Sequence, residues 1–211
     1  KSRSRGLGDV YKRQILWISL LGGMGGTYFY TKALSYVGYI DLSIVVLLQK
    51  LQPVFAMSLA AIILKEKLSK KYILLAFLAI IGGYLVTFGK NSVPNWDDNT
   101  LIAALLALLA AFCWGSSTAI AKKALVSLHY SAVTGLRLVV TTLISLIVII
   151  IFNFEILNVD ISLNQWSMII IIVLSSGTFA LFIYYYGLNK LPASHTTLFE
   201  LFWPLSAVII D

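Results

Sequence analysis

Long apolar segments are the feature that most limits how this chain can fold. Seven segments of mainly apolar residues follow one another, at 15–37, 40–64, 72–88, 101–120, 132–152, 166–188 and 196–211. A helix rises about 1.5 Å per residue, so about 17 to 25 residues cross a hydrocarbon core of about 30 Å. None of the segments alternates apolar and polar residues as a membrane β-strand does. The sequence therefore predicts an all-α, polytopic membrane helical bundle.

The distribution of charge excludes nucleic acid as a partner, although the formal net charge is +7. The first 14 residues, KSRSRGLGDVYKRQ, hold five of the 16 basic residues and one of the nine acidic ones. They lack an apolar stretch, so we interpret 1–14 as a non-native leader and predict no part of the fold from it. The other basic residues are spread over short loops, which indicates a lipid bilayer as partner. Because the chain stops inside an apolar run, we expect a fragment.

The connections between the segments predict the orientation in the membrane, because lysine and arginine favour cytoplasmic loops. Alternate connections are basic: KEKLSKK at 65–71, Lys122 with Lys123, and Lys190. The intervening connections hold one lysine, Lys90, against five carboxylates. We therefore expect a multi-pass protein of the cell membrane with the three basic connections in the cytoplasm.

An internal repeat relates two parts of the chain. Shifting the sequence by 151 residues aligns LLQKLQPVFA with LFELFWPLSA without a gap, and pairs Gln49 with Glu200 and Pro53 with Pro204. Five predicted spans lie between the start of one copy and the start of the other. Because each span takes the chain to the other side of the membrane, an odd number means that the two copies cross it in opposite directions. Inverted repeats of this kind are typical of secondary transporters with a binding site near the bilayer midplane.

Polar residues in the middle of these segments are the candidate site. Lys50 lies about 15 Å inside its segment, where a charge costs about 2.5 to 3.5 kcal/mol, so it faces protein or a wet cavity. It either balances a substrate carboxylate or phosphate, or makes no substrate contact and instead pairs with an internal carboxylate or snorkels along a groove. Pro53 and Pro204 each lack the N–H that the carbonyl four residues earlier would accept, which bends the helix and frees that carbonyl.

Glu200 is the only carboxylate deep in the second copy, and it either carries protons during transport or pairs with Lys50. Gln49, Gln52 and Trp203 lie within a turn of these groups and serve either a solute or helix packing. The predicted substrate-binding residues are Lys50, Gln49, Gln52, Pro53, Glu200, Trp203 and Pro204. By contrast, GGMGG at 22–26 predicts a close-packing helix face.

The two copies resemble the EamA family of the drug/metabolite transporter superfamily. The resemblance rests on YTKALSYVGYIDLSIVVLLQKLQPVFAMSLAAIILKEKLSKKYILLAFLAIIGGYLVTFG and on YYYGLNKLPASHTTLFELFWPLSAVIID. It implies a bundle of ten helices in two inverted five-helix repeats, of which the seven spans are helices three to nine. Residues 15–90 are then the C-terminal part of the first repeat, and 100–211 a truncated second repeat.

The function implied is secondary transport by alternating access, with export of small organic metabolites such as amino acids. A transporter of sugar phosphates or nucleotide sugars and a non-transporting membrane scaffold remain alternatives. An enzyme is not expected, because the two histidines are isolated. The single cysteine, Cys113, has no partner for a metal site, and no cofactor is predicted. Protons as coupling ion and a homodimer are left open.

Overall fold

The computed structural model describes residues 2–36, 42–88, 98–152, 161–200 and 202, and all regular secondary structure in this part is helical. The α-helices are α1 (Ser2–Trp17), α2 (Gly26–Leu34), α3 (Leu42–Gln49), α4 (Gln52–Ile63), α5 (Lys70–Phe88), α6 (Asp98–Leu125), α7 (Tyr130–Phe152), α8 (Leu163–Ile172), α9 (Ala180–Lys190) and α10 (Ala193–Phe199). Two π-helical segments, π1 (Ile18–Gly25) and π2 (Val173–Phe179), join α1 to α2 and α8 to α9. The prediction of an all-α bundle is confirmed.

Four helical stretches in the described part are long and apolar enough to span a membrane: Ile44–Ile63 in α3 and α4, Asp98–Leu125 in α6, Tyr130–Phe152 in α7, and Leu163–Lys190 in α8, π2 and α9. They correspond to the second, fourth, fifth and sixth predicted spans. The first and third predicted spans are helical as well, in π1 with α2 and in α5. The seventh begins as α10, and most of its length lies outside the described residues.

The first helix begins earlier than the hydropathy pattern indicates. No helix is expected in residues 1–14, yet α1 covers Ser2–Trp17 and runs directly into π1. The stretch contains no proline, so backbone hydrogen bonding continues from the apolar part of the helix into the basic part. A pair three residues apart on its exposed face, Lys12 with Asp9 at 3.3 Å, adds a small stabilisation.

Helix α6 lies at the centre of the bundle and packs against α2, α3, α4 and π1. Its buried face is rich in small residues, and these let neighbouring backbones approach closely. The buried alanines of this helix are Ala103, Ala104, Ala107, Ala110, Ala111, Ala119, Ala121 and Ala124. The closest approach is at Gly115, where a Cβ atom would come within 2.8 Å of the Gln52 carbonyl oxygen and 3.0 Å of the Ala56 nitrogen.

We expect Gly115→Val to destabilise the protein, because the added side chain must push α4 away from α6. Overpacking of this kind costs about 1 to 3 kcal/mol. The matched control is Gly135→Val in α7, since a Cβ atom at Gly135 meets nothing within 4 Å. Thermal unfolding in detergent measures both variants. Equal midpoints for the two variants would contradict this account of the α4–α6 contact.

The GGMGG stretch packs against other helices, as predicted. A Cβ atom on Gly22 would overlap the Ser117 side chain, and one on Gly23 would overlap Thr141. Gly26 lies against the indole of Trp114, whose Cδ1 atom is 2.7 Å from the position a Cβ would take. These glycines therefore allow α6 and α7 to lie directly on π1 and α2.

The helices break where the sequence places its first proline. Helix α3 ends at Gln49 and α4 begins at Gln52, with Lys50 and Leu51 in a turn between them. Pro53 occupies the first turn of α4 and is buried, which is the helix position that tolerates a missing N–H. Helix α10 ends at Phe199, with Glu200 in the turn that follows. An offset of 151 pairs Glu200 with Gln49, so both breaks fall at paired positions of the repeat, while Pro204 lies outside the described residues.

One end of the bundle is held together by charged side chains, and we name it the basic end. The Glu66 carboxylate accepts hydrogen bonds from the Ala193 nitrogen at 2.9 Å and from the Ser194 hydroxyl at 2.8 Å, which caps α10. Lys122 donates to the carbonyls of Leu188 and Asn189 at 2.9 and 3.1 Å, which caps α9. These contacts bring the connections around Glu66, Lys122 and Lys190 to the same end.

Two apolar clusters leave a polar layer between them. One lies toward the basic end and includes Ile18, Leu125, Val133, Leu188 and Ala193. The other lies toward the opposite end and consists of Ala33, Val45, Ala103 and Ala107. The helix breaks and the polar side chains near them lie in the layer between the clusters, which is where the candidate site is found.

Candidate functional site

A cavity of about 380 Å³ lies beside the break between α3 and α4, and we name it the lysine cavity. Its volume falls within the range of about 300 to 1,000 Å³ that is usual for small-molecule sites. Its lining residues are Tyr30, Gln49, Lys50, Gln52, Pro53, Trp114 and Glu200. Five of the seven predicted site residues therefore surround one space. The other two, Trp203 and Pro204, lie outside the described residues.

One wall of the lysine cavity is aromatic. The rings of Tyr30 and Trp114 have centroids 5.5 Å apart and are tilted by 55° to each other. Trp114 reaches α2 because Gly26 has no side chain to displace it. Such a wall offers a flat surface on which a planar solute can stack.

Amide and carboxylate groups form a chain of hydrogen bonds across the opposite side of the cavity. Gln49 Nε2 donates to the side-chain oxygen Oε1 of Gln52 at 3.2 Å, and Gln52 Nε2 donates to Glu200 Oε2. Tyr184 donates to Glu200 Oε1 at 2.7 Å, and its hydroxyl also lies 3.0 Å from the Thr118 hydroxyl. This chain, which we name the Gln52–Glu200 bridge, links α4, α6 and α9 at the end of α10.

Lys50 and Glu200 carry the opposite charges of the lysine cavity. Both line it, and their charges attract each other. The half-buried Lys50 thus faces the bundle interior, as its depth in the sequence predicts. An attraction of this kind is compatible with both interpretations of Lys50, because a paired lysine can still contact a solute.

A second cavity, of about 280 Å³, lies on the other side of the bridge. We name it the arginine cavity, and its lining residues are Gln52, Trp114, Ser117, Thr118, Arg137, Leu181, Tyr184 and Glu200. Arg137 donates to the Tyr185 hydroxyl and to the Gly22 carbonyl oxygen, each at 2.8 Å. These bonds fix the guanidinium between α9 and π1.

The two cavities lie at different depths. Arg137 is seven residues from the start of α7 at the basic end, a distance of about 10 Å along the helix. Tyr30 is four residues from the end of α2 at the opposite end, about 6 Å along the helix. The bridge therefore separates a cavity toward the basic end from a cavity toward the opposite end.

Several lining residues were not among the predicted site residues. Tyr30, Trp114 and Tyr184 reach the cavities through contacts between helices that are far apart in sequence. The sequence of α6 could have indicated some of them, because the run FCWGSST at 112–118 places polar and aromatic residues in a helix otherwise rich in alanine and leucine. Arg137 could also have been chosen from the sequence, because it is a cation several residues inside an apolar segment. Among the described residues, no group of three His, Cys, Asp or Glu side chains is placed to hold a metal ion.

Comparison with known proteins gives matches over most of the chain. The profile of the EamA-like transporter family matches residues 2–88 and 101–211. The chain is similar to the riboflavin transporter ImpX of Fusobacterium nucleatum, with 39% identity over 196 residues. This alignment covers 92% of the present chain and 65% of the relative, so the chain spans less than two thirds of that protein's length.

A solved crystal structure has the same fold. It superimposes with a TM-score of 0.70 over 98% of this chain and 69% of the other chain. The identity between the two sequences is 17%, so this likeness concerns the arrangement of the helices alone.

Proposed function

Because the chain belongs to the EamA-like transporter family, we propose that the lysine cavity is the solute site of a secondary transporter that works by alternating access. The family and its transporter relative point to transport rather than to enzymatic chemistry. The observation that carries the proposal is the position of the cavity at a broken helix, within the polar layer and between two apolar clusters. Binding sites of inverted-repeat transporters lie at such breaks.

The Gln52–Glu200 bridge supplies the barrier that alternating access requires. It joins groups of both repeat copies, since Gln52 belongs to α4 and Glu200 follows α10. The lysine cavity lies on one side of it and the arginine cavity on the other. Breaking these hydrogen bonds lets the two copies separate, and re-forming them closes the path. Glu200 is also the group that would bind a coupling proton.

A solute with a planar ring system of the flavin class is the first candidate. Two features support it: the aromatic wall of Tyr30 and Trp114, and the amides of Gln49 and Gln52, which can pair with ring carbonyl and N–H groups. The relative named as a riboflavin transporter points the same way. We propose that such a solute stacks on the aromatic wall and bonds to the amides.

Export of amino acids is the second candidate, and a specific feature favours it. Lys50 and Glu200 line one cavity with opposite charges, which complements the carboxylate and ammonium groups of a zwitterion. In this case the charges, rather than the aromatic wall, bind the solute.

The experiment that separates these candidates measures transport of both solutes into proteoliposomes. Labelled riboflavin and a mixture of labelled amino acids are each offered with and without a pH gradient. For a flavin, we expect Lys50→Met to change the half-saturation concentration by less than about threefold. For an amino acid, loss of a charge-assisted bond predicts an increase of about tenfold or more. If neither solute moved under any gradient, both candidates would be wrong.

A further inference from the structure

The arginine cavity is lined by a cation and a buried hydroxyl that lack a counter-charge and a hydrogen-bond partner among the described residues, and we propose that it binds an anionic group, a carboxylate or a phosphate, carried by the transported solute. This inference rests on the proposed function, because it assigns a charge to the solute of the same transporter. It adds a second subsite across the Gln52–Glu200 bridge from the lysine cavity.

The first argument is the charge of Arg137. A guanidinium has five N–H donors, and among the described residues Arg137 uses two of them, for Tyr185 and for the Gly22 carbonyl. No carboxylate within the described ranges forms an ion pair with it. A half-buried cation in a membrane-spanning helix is costly without a counter-charge. Its remaining donors are therefore available to an anion in the cavity that it lines.

The second argument is independent and concerns Ser117. Its side chain is buried, with 2% of its surface exposed, and its hydroxyl has no hydrogen-bond partner among the described residues. Buried hydroxyls are nearly always paired, and Ser117 is a lining residue of the arginine cavity, so its unpaired hydroxyl indicates a missing ligand. The Ser117 hydroxyl and Arg137 Nη2 both occupy the space above Gly22, which has no side chain. A hydroxyl donor and a guanidinium donor thus lie next to each other.

The balance of charge over both cavities agrees with an anion. Their described lining residues include two cations, Lys50 and Arg137, and one carboxylate, Glu200. Glu200 also lines the arginine cavity, but its two oxygens already accept bonds from Gln52 and Tyr184. Its charge is attracted to Lys50 in the other cavity. The positive charge left over is that of Arg137, and an anionic group neutralises it.

The test compares ligands with and without an anionic group, using the purified protein in detergent. Binding of riboflavin 5′-phosphate is measured against riboflavin for the phosphate arm, and benzoate against benzamide for the carboxylate arm. We expect the anion of at least one pair to bind about tenfold more tightly than its neutral partner, as one charge-assisted hydrogen bond predicts. A preference in one arm alone identifies which anion the solute carries.

Ser117→Ala is the decisive variant because it removes no hydrogen bond within the described part of the protein. We expect its thermal stability to be unchanged or higher, and its preference for the anion to fall about tenfold. Arg137→Gln should abolish the preference, whereas Arg137→Lys should keep part of it. The matched control is Ser116→Ala, since Ser116 lines neither cavity and its hydroxyl is already paired, with the Cys113 carbonyl at 3.1 Å and Trp17 Nε1 at 3.3 Å. It should leave the preference for the anion unchanged.

The outcomes separate this inference from the proposed function. Equal binding of anion and neutral partner in both arms would overturn the anionic subsite while leaving a neutral solute possible for the transporter. An anion preference that Ser117→Ala and Arg137→Gln leave intact would also overturn it. If flavins do not bind but benzoate is preferred over benzamide in an Arg137-dependent manner, the subsite stands and the flavin proposal falls.

Discussion

Glu200→Gln is expected to abolish solute accumulation driven by a pH gradient while exchange of solute across the membrane continues. The amide cannot bind and release a proton, so a coupling role for Glu200 is lost. The side chain keeps nearly the same shape, and its one oxygen can still accept a hydrogen bond from Gln52 or from Tyr184. We expect gradient-driven accumulation to fall to the level seen without a gradient, because a carrier that is not coupled to protons only equilibrates its solute.

Counterflow in proteoliposomes makes this result specific. Vesicles loaded with unlabelled solute take up labelled solute without any gradient, so this assay reports binding and movement without coupling. The control variant is Asp98→Asn, because Asp98 is an exposed carboxylate in the first turn of α6, away from both cavities. Loss of accumulation and counterflow together would mean that Glu200 holds the bridge rather than carrying protons. Unchanged accumulation would exclude both roles.

Trp114→Ala is expected to weaken solute binding by about tenfold to a hundredfold. The indole forms the aromatic wall with Tyr30, and stacking of a planar ring on such a side chain contributes about 1 to 3 kcal/mol. Trp114→Phe should retain much of the affinity, because a smaller ring still offers a flat face. Quenching of flavin fluorescence on titration measures the dissociation constant of each variant.

A control variant and a stability measurement test whether losing any tryptophan would have the same effect. Trp166 in α8 is 50% exposed and lines neither cavity, so Trp166→Ala should leave the dissociation constant unchanged. Thermal unfolding of Trp114→Ala checks that α2 and α6 still pack together. A folded Trp114→Ala protein that bound flavin with wild-type affinity would contradict the aromatic wall as a binding surface.

The polar break between α3 and α4 could be predicted because its physical cause is local. A proline, a lysine and two glutamines inside an apolar segment cost free energy in lipid, so they belong in the bundle interior. The structure places Gln49, Lys50, Gln52 and Pro53 around one cavity for that reason. Glu200 could be predicted as well, because it is the only carboxylate deep in the second copy and the shift of 151 residues pairs it with Gln49. Its role in binding or coupling stays a prediction.

Other parts of the site depend on contacts that hydropathy does not encode. Trp114 and Tyr30 meet because Gly26 leaves room for the indole, a packing relation between helices far apart in sequence. Arg137 is 87 residues from Lys50 in the sequence, yet both line cavities that share Glu200. The sequence did not predict the π-helical segments either. An apolar segment has the same hydropathy whether its backbone hydrogen bonds join residues four apart, as in an α-helix, or five apart, as in a π-helix.

The symmetry of the repeat could be predicted from the sequence in part. The offset of 151 residues pairs Gln49 with Glu200, the two positions at which the helix breaks lie. It also pairs π2 with positions 22–28, which overlap π1. These local distortions recur where the sequence alignment pairs the two copies. The opposite threading of the copies through the membrane stays a prediction, since it follows from the number of spans.

Labelling of cysteines from the two sides of the membrane tests the central claim most directly. The single native cysteine is removed as Cys113→Ala, and Gln49→Cys or Leu181→Cys then reports on the lysine or the arginine cavity. An impermeant thiol reagent should reach position 49 from one side only and position 181 from the other side only. Saturating solute should change the two labelling rates in opposite directions. Labelling of both positions from the same side, or parallel changes in rate, would contradict two cavities that open alternately across the Gln52–Glu200 bridge.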